Sequence, residues 1–425
     1  MRKLRNFNMQ RRFSLLFALL WAAPLHAAPL SWDQCVQLLK KNNEELIAMK
    51  ANVEASEFRE GSATAAFLPQ ISGSLSYGKT DTQAPTPGES EGYGAGVSLS
   101  QNLFAGFSDM AKRKQAKAAT VVTRRDLELL EARLSKDLKV AYENYLFAER
   151  SIQLRESIVN RRQENVRLVD LRFQGGRENK GSVLLSKAIL SEAKLDVTQA
   201  RLMLRTARAD LAKILGIDDH ESVEVTGDIP VNDPPAAETH LRSLSFSTPA
   251  VKKAEAQEEI AQAALTASRS GFFPSLTLNA GINRSDTDFF PEANKNWTVG
   301  ATLSIPLFNG GRDYYETRAQ GRALLSAIKQ RVKSQRDSLV ILEATLSDYI
   351  QAVERVRVNK EFVDAVTVRA EIGRMRYNNG LMTFDDWYNI ENELIDRQKK
   401  YLESRRDRVH RESSWEEAQG KGVFQ

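Results

Sequence analysis

Apolar and polar residues alternate with a period of two in four short stretches of the chain, and these stretches form two pairs. The first pair lies between Phe67 and Phe107, and the second lies between Phe272 and Gly311. Each pair has a Phe-X-Pro entry, a polar loop and a Leu-Phe-X-Gly exit. A period of two puts the apolar side chains on one face of a strand, so each pair predicts a β-hairpin, with polar loops at 79–92 and 284–296. The apolar face carries Ile71, Leu75, Tyr77, Tyr93, Val97 and Leu99 in the first hairpin, and Leu276, Leu278, Ile282, Trp297, Val299 and Leu303 in the second.

A different apolar spacing, of seven residues, follows each hairpin. Sustained seven-residue spacing is typical of long helices that pack side by side as coiled coils. The two series match each other position by position, so the chain is an internal duplication. The first series is Leu138, Tyr145, Ile152, Val159, Val166 and Phe173, and the second is Leu342, Tyr349, Val356, Val363, Ala370 and Tyr377.

The stop signals in each half predict a long helix and a returning helix. The long helices run from about 109 to 173 and from about 312 to 377, and each is on the order of 95 Å long. Gly175 and Gly176 break the first, and 378–380 breaks the second. The returning helices cover about 182–215 and 385–420. A further helix precedes each hairpin: one runs from the Ser31 cap to about residue 66, and its counterpart begins at Pro249.

The first 27 residues have the order of a secretory signal peptide: five basic residues, an apolar run from Phe13 to Ala23, and a small residue at Ala27. The whole chain has a formal net charge of +5, so the remainder is neutral once this segment is removed. Neutrality removes the support for nucleic-acid binding. No later stretch has the roughly 18 to 20 apolar residues of a membrane-spanning helix, so membrane residence would come from strands.

Residues that could carry chemistry are few and scattered. Cys35 is the only cysteine and is expected to be an inert thiol on an early helix. The four histidines lack metal-ligand spacing, so no metal or other cofactor is expected. Catalytic residues cannot be singled out either, which argues against an enzyme. Arginine-rich tracts such as Arg161-Arg162 are expected to be solvated helix faces.

Four strands are too few to close a membrane barrel, and an open sheet edge in lipid would leave backbone groups unpaired. Other subunits are therefore expected to supply the remaining strands. Two copies would give eight strands and three would give twelve, and both numbers are even, as outer-membrane barrels require.

The order of these motifs, repeated twice over about residues 31 to 418, resembles the outer-membrane efflux protein family, the TolC-like outer-membrane factors. Phe104-Ala105-Gly106 and 308–311 match the strand exits, and Arg172-Phe173 with Gly176 and Arg376-Tyr377 with Gly380 match the periplasmic turns. The resemblance implies an α+β membrane protein, a homotrimer in which each chain gives four strands and four main helices. Its 12-stranded outer-membrane β-barrel would be continued by a long periplasmic α-helical barrel.

The resemblance also implies a function, a location and partners. The chain would be the passive outer-membrane channel of a tripartite efflux or type I secretion system, in the cell outer membrane and extending into the periplasm. Its partners would be outer-membrane lipid, a periplasmic adaptor protein and an inner-membrane transporter of the RND, ABC or MFS type. The corresponding division of the chain is a signal peptide (1–27), a first repeat (28–216), a linker or equatorial segment (217–240), a second repeat (241–420) and a tail (421–425).

Site residues follow from the same resemblance. The periplasmic entrance or gate would be formed by Phe173, Tyr377, Asp385 and Asp386, and the adaptor would contact the turns at Gly175, Gly176, Asn379 and Gly380. Met382 and Asn389 depart from the family pattern, in which an arginine and an aspartate stand. Residue chemistry alone leaves simpler roles open, with Tyr377 as a core residue and Asp386 as part of a helix cap with Thr383.

Two other functions compete with the channel. A periplasmic adaptor also has a long helical hairpin, but it carries one such hairpin and soluble β domains. An envelope hydrolase would need a nucleophile, a base and an orienting group. The apolar alternation of both β-hairpins, with aromatic residues at Tyr77, Tyr93 and Trp297, favours the channel.

Overall fold

A computed structural model describes residues 29–82, 88–235 and 240–424 of the 425-residue chain. The predicted signal peptide lies outside the described residues. The described part is mostly helical, with eight α-helices and one four-stranded sheet. The helices are α1 (Trp32–Asn42), α2 (Glu44–Thr64), α3 (Ser108–Gln174), α4 (Lys180–Leu215), α5 (Leu241–Ser247), α6 (Pro249–Ser268), α7 (Arg312–Asn378) and α8 (Phe384–Gln419), and the strands are β1 (Gln70–Thr82), β2 (Gly88–Ala105), β3 (Ser275–Asp286) and β4 (Asn296–Ser304).

The two longest helices, α3 and α7, have 67 residues each and organise the molecule. At 1.5 Å per residue each is about 100 Å long, as the seven-residue spacing predicts. Near the sheet the helices form a row in the order α2, α3, α6, α7. Beyond it the row is α4, α3, α8, α7. The halves of the duplication therefore interlock through α3, and α4 and α7 are the outer members of the second row.

The sheet confirms both predicted hairpins. Its order is β1-β2-β3-β4, and every neighbouring pair is antiparallel. The apolar face is open: Leu75 is 89% exposed and Trp297 70%. The opposite face is small and polar, and the Ser72 and Ser98 hydroxyls lie 2.8 Å apart on it. β1 and β4 are the edge strands, and neither has a second neighbour among the described residues.

The strands are longer than predicted on the loop side. β1 and β2 stay paired as far as Thr82 and Gly88, inside the predicted 79–92 loop. Lys79 explains part of the extension, because its ammonium group lies 2.8 Å from the Glu89 carboxylate on the paired strand. Opposite charges across a strand pair stabilise the pair. The polar residues at both ends of 79–92 therefore belong to strands and not to the loop that their polarity predicted.

The prediction of one helix from Ser31 to about residue 66 is wrong, because the chain turns at Asn43. The backbone of Asn43 is extended (φ −66°, ψ 117°). Its side-chain oxygen accepts a hydrogen bond from the Leu46 amide at 3.0 Å and so caps α2. Its side-chain amide donates to the Ile214 carbonyl oxygen at the end of α4, also at 3.0 Å. The predicted Ser31 cap is present, and it forms a capping box with Gln34.

The main hydrophobic core lies at this end of α4, where α1, α3 and the 217–235 segment meet. Cys35 is fully buried in it, and burial raises the pKa of its thiol to about 12, so the thiol is protonated. The 217–235 segment is irregular apart from a short 3₁₀ turn at His220–Ser222 and a bridge between Leu30 and Val225. Within the described residues, no helix has both the length and the apolar composition needed to cross a membrane.

Candidate functional site

The far ends of α3 and α7 carry two turns with the same hydrogen bonds. The Arg177 amide donates to the Arg172 carbonyl at 2.8 Å, and the Leu381 amide donates to the Arg376 carbonyl at 2.9 Å. The glycine of each turn is left-handed, with φ +67° at Gly176 and +77° at Gly380. This arrangement is the Schellman helix end, which glycine adopts without strain. Gly176 and Gly380 therefore reverse the chain at the end of the molecule that is farthest from the sheet, called the tip below.

Tyr377 lies at the centre of the tip and is fully buried. Its ring stacks on the Trp387 ring of α8, with centroids 4.3 Å apart and planes 7° apart. The Arg172 guanidinium of α3 lies 4.4 Å from the centroid of the Tyr377 ring. Because Trp387 covers one face of this ring, the guanidinium lies over the other face. Arg172 also donates to the Tyr377 carbonyl oxygen. One tyrosine thus joins α3, α7 and α8.

The Tyr377 hydroxyl adds a link to the first turn. It donates to the Glu178 carboxylate at 3.0 Å. Burial acts to raise the pKa of Glu178, but hydrogen bonds from Asn179, Ser182 and Tyr377 outweigh it and lower the pKa. Burial and the bond to Glu178 raise the pKa of the Tyr377 phenol. At neutral pH the pair is therefore a phenol that donates to a carboxylate.

The aspartates of the predicted entrance lie at the start of α8 and are exposed. Thr383 caps this helix: its hydroxyl oxygen accepts from the Asp386 amide at 3.1 Å and donates to the Asp386 carboxylate at 2.7 Å. Asp385 lies beside it in the first turn, where a negative charge is favoured by the helix dipole. The cap predicted for Asp386 is present, and its carboxylate still faces solvent.

The four predicted entrance residues are not one contact cluster. Phe173, the counterpart of Tyr377 in the first repeat, is 40% exposed and takes no part in the aromatic stack. Arg172, Glu178 and Trp387 are central to the tip but were not predicted as site residues. The only signal in the sequence was the repeated Arg-Phe/Tyr pair before each turn, which marks Arg172. Met382, one of the two departures from the family pattern, packs against the buried tip residues.

An ion pair with a buried carboxylate lies behind the tip and corrects the prediction that Arg161-Arg162 is a solvated face. The Arg161 guanidinium donates twice to the Glu391 carboxylate of α8, at 2.6 and 2.8 Å, and the Asn165 side-chain amide donates to it at 3.2 Å. Glu391 is 1% exposed. Arg162 is also buried, and burial lowers its pKa. Both arginines lie between α3 and α8 because α8 supplies their hydrogen-bond acceptors, Glu391 for Arg161 and Asn392 for Arg162.

A second buried carboxylate lies midway along α3. Glu143 is 4% exposed, and burial raises its pKa to about 7, although Arg150 beside it, at 3.3 Å, acts in the opposite direction. Nearby, Glu412 of α8 accepts two hydrogen bonds from Asn232, at 3.0 and 3.1 Å. The 217–235 segment is therefore fastened to the helices by polar contacts at mid-length.

The long helices and the small sheet with an exposed apolar face fit the class of outer-membrane channel subunits. The profile of the family described as "Outer membrane efflux protein" matches residues 35–217 and 242–420, and the chain belongs to this family. Its function is therefore that of an outer-membrane efflux channel, and its location is the outer membrane. This is a family of channel proteins and not of enzymes.

Individual relatives are distant but cover most of the chain. A probable outer membrane lipoprotein, SilC of Salmonella typhimurium, is 23% identical over 388 residues, 85% of this chain and 79% of its own length. The outer membrane protein TolC of Vibrio cholerae is 22% identical over 384 residues, 87% of this chain and 86% of its own length. Among solved structures, CusC superposes with a TM-score of 0.84 at 17% identity over 92% of both chains. VceC of Vibrio cholerae superposes with a TM-score of 0.82 at 17% identity over 92% of this chain and 96% of its own.

These comparisons confirm the predicted family, function and location. The competing periplasmic adaptor finds no support in them.

Proposed function

We propose that three copies of this chain close into one pore that crosses the outer membrane and continues as a helical tunnel through the periplasm. The observation that carries the proposal is the open sheet, whose edge strands β1 and β4 have no second neighbour in the described chain. Unpaired edges in lipid are costly, and β4 of one copy beside β1 of the next would satisfy both. Three copies give twelve strands.

The helices support the same assembly. The outer members of the helical row, α4 and α7, expose apolar side chains along their length. Solvated helices of a monomer rarely do so over such a distance, and an edge-to-edge contact between α4 and α7 of neighbouring copies would bury them. The exposed residues are Leu184, Leu185, Leu195, Leu202 and Met203 on α4, and Val340, Ile341, Val358, Phe362, Val368, Ile372 and Met375 on α7.

The pore is proposed to work as a passive duct within a tripartite system. A periplasmic adaptor would dock at the tip turns, with Gly175, Gly176, Asn379 and Gly380 in contact, and an inner-membrane transporter would supply the energy. Relatives are named for different cargo: CusC belongs to a cation efflux system and TtgI to a toluene efflux pump. The proposal therefore concerns the duct and leaves the cargo open.

The tip is proposed as the periplasmic entrance. Asp385 and Asp386 would form rings of carboxylates, Phe173 would line the approach, and Tyr377 would hold the α7 and α8 ends against α3. The exposure of the aspartates and the partly buried hydrogen bond from Tyr377 to Glu178 support these roles. The proposal also divides the chain into two structural repeats, 28–216 and 241–420. A linker, 217–240, joins them, and a tail, 421–425, follows.

Conductance in planar bilayers tests this function. Protein extracted from the outer-membrane fraction should insert and give discrete, uniform current steps, and the same sample unfolded by heat should give none. Protein that fractionates with the outer membrane but produces no steps would contradict the duct. Recovery in the periplasmic or inner-membrane fraction would favour the adaptor instead.

A further inference from the structure

The apolar face of the sheet is not uniform, because it contains a hollow of about 370 Å³ across β2, β3 and β4. Ala280 and Gly281 form the bottom of the hollow, because neither has a long side chain. The walls are larger apolar residues, and Trp297 is the largest of them. The lining residues are Val97, Leu99, Ala280, Gly281, Ile282, Trp297, Thr298 and Val299.

An arginine lies on the same face, at the loop side of this hollow. Arg284 is two residues beyond Ile282 along β3, about 7 Å farther along the strand. It pairs in register with Ala95, and Ile282 pairs with Trp297. Arg284 is exposed, and its side chain has no hydrogen bond or ion pair with any residue of the described chain.

The carboxylate on the same face of β3 is already engaged. Asp286 accepts hydrogen bonds from the Thr287 and Ala293 amides at 2.7 and 3.1 Å, and so it holds the loop between β3 and β4. The other strand cation on this face, Lys79, forms ion pairs with Glu89 and Glu91 at 2.8 and 3.6 Å. Among the described strand residues of this face, Arg284 is therefore the cation without a contact ion pair, and it lies beside the apolar hollow.

We propose that the hollow and Arg284 together bind one phosphorylated lipid of the outer leaflet, with an acyl chain against Ala280 and Trp297 and a phosphate on Arg284. This inference rests on the proposed function, which places the apolar face in lipid and the hairpin loops outside the cell. A guanidinium matches phosphate geometry by two parallel hydrogen bonds. Tryptophan is favoured at the level of the lipid headgroups, and a charge on a lipid-facing surface needs a partner.

The site continues a surface that already faces lipid in the proposal. Phe289 of the loop packs against Tyr93, with ring centroids 5.6 Å apart, and Tyr93 packs against Tyr77 at 5.0 Å. This row of aromatic rings marks the headgroup level on the loop side of the hollow. A lipid held there would have its phosphate at the level of Arg284.

Native mass spectrometry of the detergent-extracted assembly tests the charge. Lipid A and lipid A with both phosphates removed are the two probes. The wild-type assembly should retain lipid A at least about tenfold more tightly than the dephosphorylated probe, and Arg284→Gln should remove that difference. Lys79→Gln is the matched control, because it deletes one cation from the same face at a position that already has acidic partners, and it should behave as the wild type. Equal retention of both probes by the wild type, or equal loss in the two variants, would overturn the inference in favour of bulk lipid only.

Filling the hollow tests the acyl part of the site. Ala280→Phe places a ring on its floor and should weaken lipid A retention about tenfold, whereas Leu75→Phe adds a ring to the same face outside the hollow and should not. Both substitutions keep the face apolar, so the assembly is expected to form in each. Unchanged retention in Ala280→Phe would contradict the site. An outer-membrane pore that forms without selective lipid retention would end this inference alone, and a chain that never reaches the outer membrane would end the proposed function.

Discussion

Tyr377 shows how much one residue contributes at the tip, because it contacts α3 and α8 and bonds to the first turn. Tyr377→Phe keeps the stack on Trp387 and removes only the bond to Glu178, at a cost of about 1 kcal/mol. Tyr377→Ala empties the stack and should cost about 3–5 kcal/mol. We expect the phenylalanine variant to raise single-channel conductance with little change in melting temperature, and the alanine variant to lower the melting temperature clearly. Unchanged conductance in Tyr377→Phe would make Tyr377 a core residue without a gating role.

A substitution at Asp386 distinguishes two roles of a carboxylate at a helix start, as a helix cap and as a charge at the entrance. Three copies around one axis would attract cations and repel anions. Asp386→Asn keeps an oxygen that can accept from Thr383, so the loss of stability should be at most about 1 kcal/mol. Cation preference, measured from reversal potentials in planar bilayers, should fall. Asp364→Asn, an exposed change on α7 away from the tip, is the control. A preference that stays the same in Asp386→Asn would leave the aspartate as a cap only.

Glu143 makes stability depend on pH. Its ordinary pKa of 4.5 is raised to about 7 by burial, so the folded protein binds the proton more tightly than the unfolded chain. A raised carboxyl pKa stabilises the fold below pH 4.5, and this contribution is lost as the pH rises from 4.5 to 7, by an amount on the order of 2–3 kcal/mol. Glu143→Gln should therefore raise the melting temperature at pH 8 and leave it unchanged at pH 4.

The control for this pH dependence is Glu156→Gln, an exposed carboxylate paired with Arg201, which should change neither value. A melting temperature that falls in Glu143→Gln at pH 8 would show that the charged form is the stabilising one.

At the scale of elements, the joint between α3 and α8 depends on Glu391. Its removal would leave the partly buried Arg161 without its carboxylate, and breaking a pair of which one member is buried costs up to about 3–5 kcal/mol. Glu391→Gln should lower the melting temperature of the helical circular dichroism signal strongly. Glu393→Gln, two residues farther along α8, breaks a pair with Arg369 that is largely exposed and should cost less than about 1 kcal/mol. Equal effects of the two substitutions would contradict a buried joint.

The elements also show what could be predicted from the sequence. Both hairpins, both long helices and both glycine turns were predictable because each leaves a local pattern: a period of two, a period of seven, or a left-handed glycine. The break between α1 and α2 at Asn43 was not predicted. Its counterpart in the second repeat is Thr248, which precedes a proline and begins a helix. Asn43 performs the same turn through its side chain, and an asparagine inside a helical pattern carries a weaker signal than a proline.

The contacts between the two repeats could not be predicted in the same way. Arg161 and Glu391 are 230 positions apart, and nothing local in either helix states that α3 lies beside α8. The same holds for Tyr377 and Glu178, which are 199 positions apart. The duplication carries no information on how the two halves pack, and in the structure α3 packs against helices of both halves. Site residues at the tip were therefore predicted only where a turn motif marked them.

At the scale of the whole molecule, the fold is incomplete as a single chain. The sheet is open at β1 and β4, and the helical row is open at α4 and α7. Both openings lie at the outer members of their layers, so one rotation that places copies side by side would close strands and helices together. The proposed cyclic assembly of identical chains would use that geometry.

Native mass spectrometry of the protein extracted from outer membranes in mild detergent tests this central claim most directly. The account predicts one dominant species of three chains, which resists dilution because the strand edges are paired between copies. A monomer that stays folded and soluble in the same detergent, or a dimer with eight strands, would contradict it.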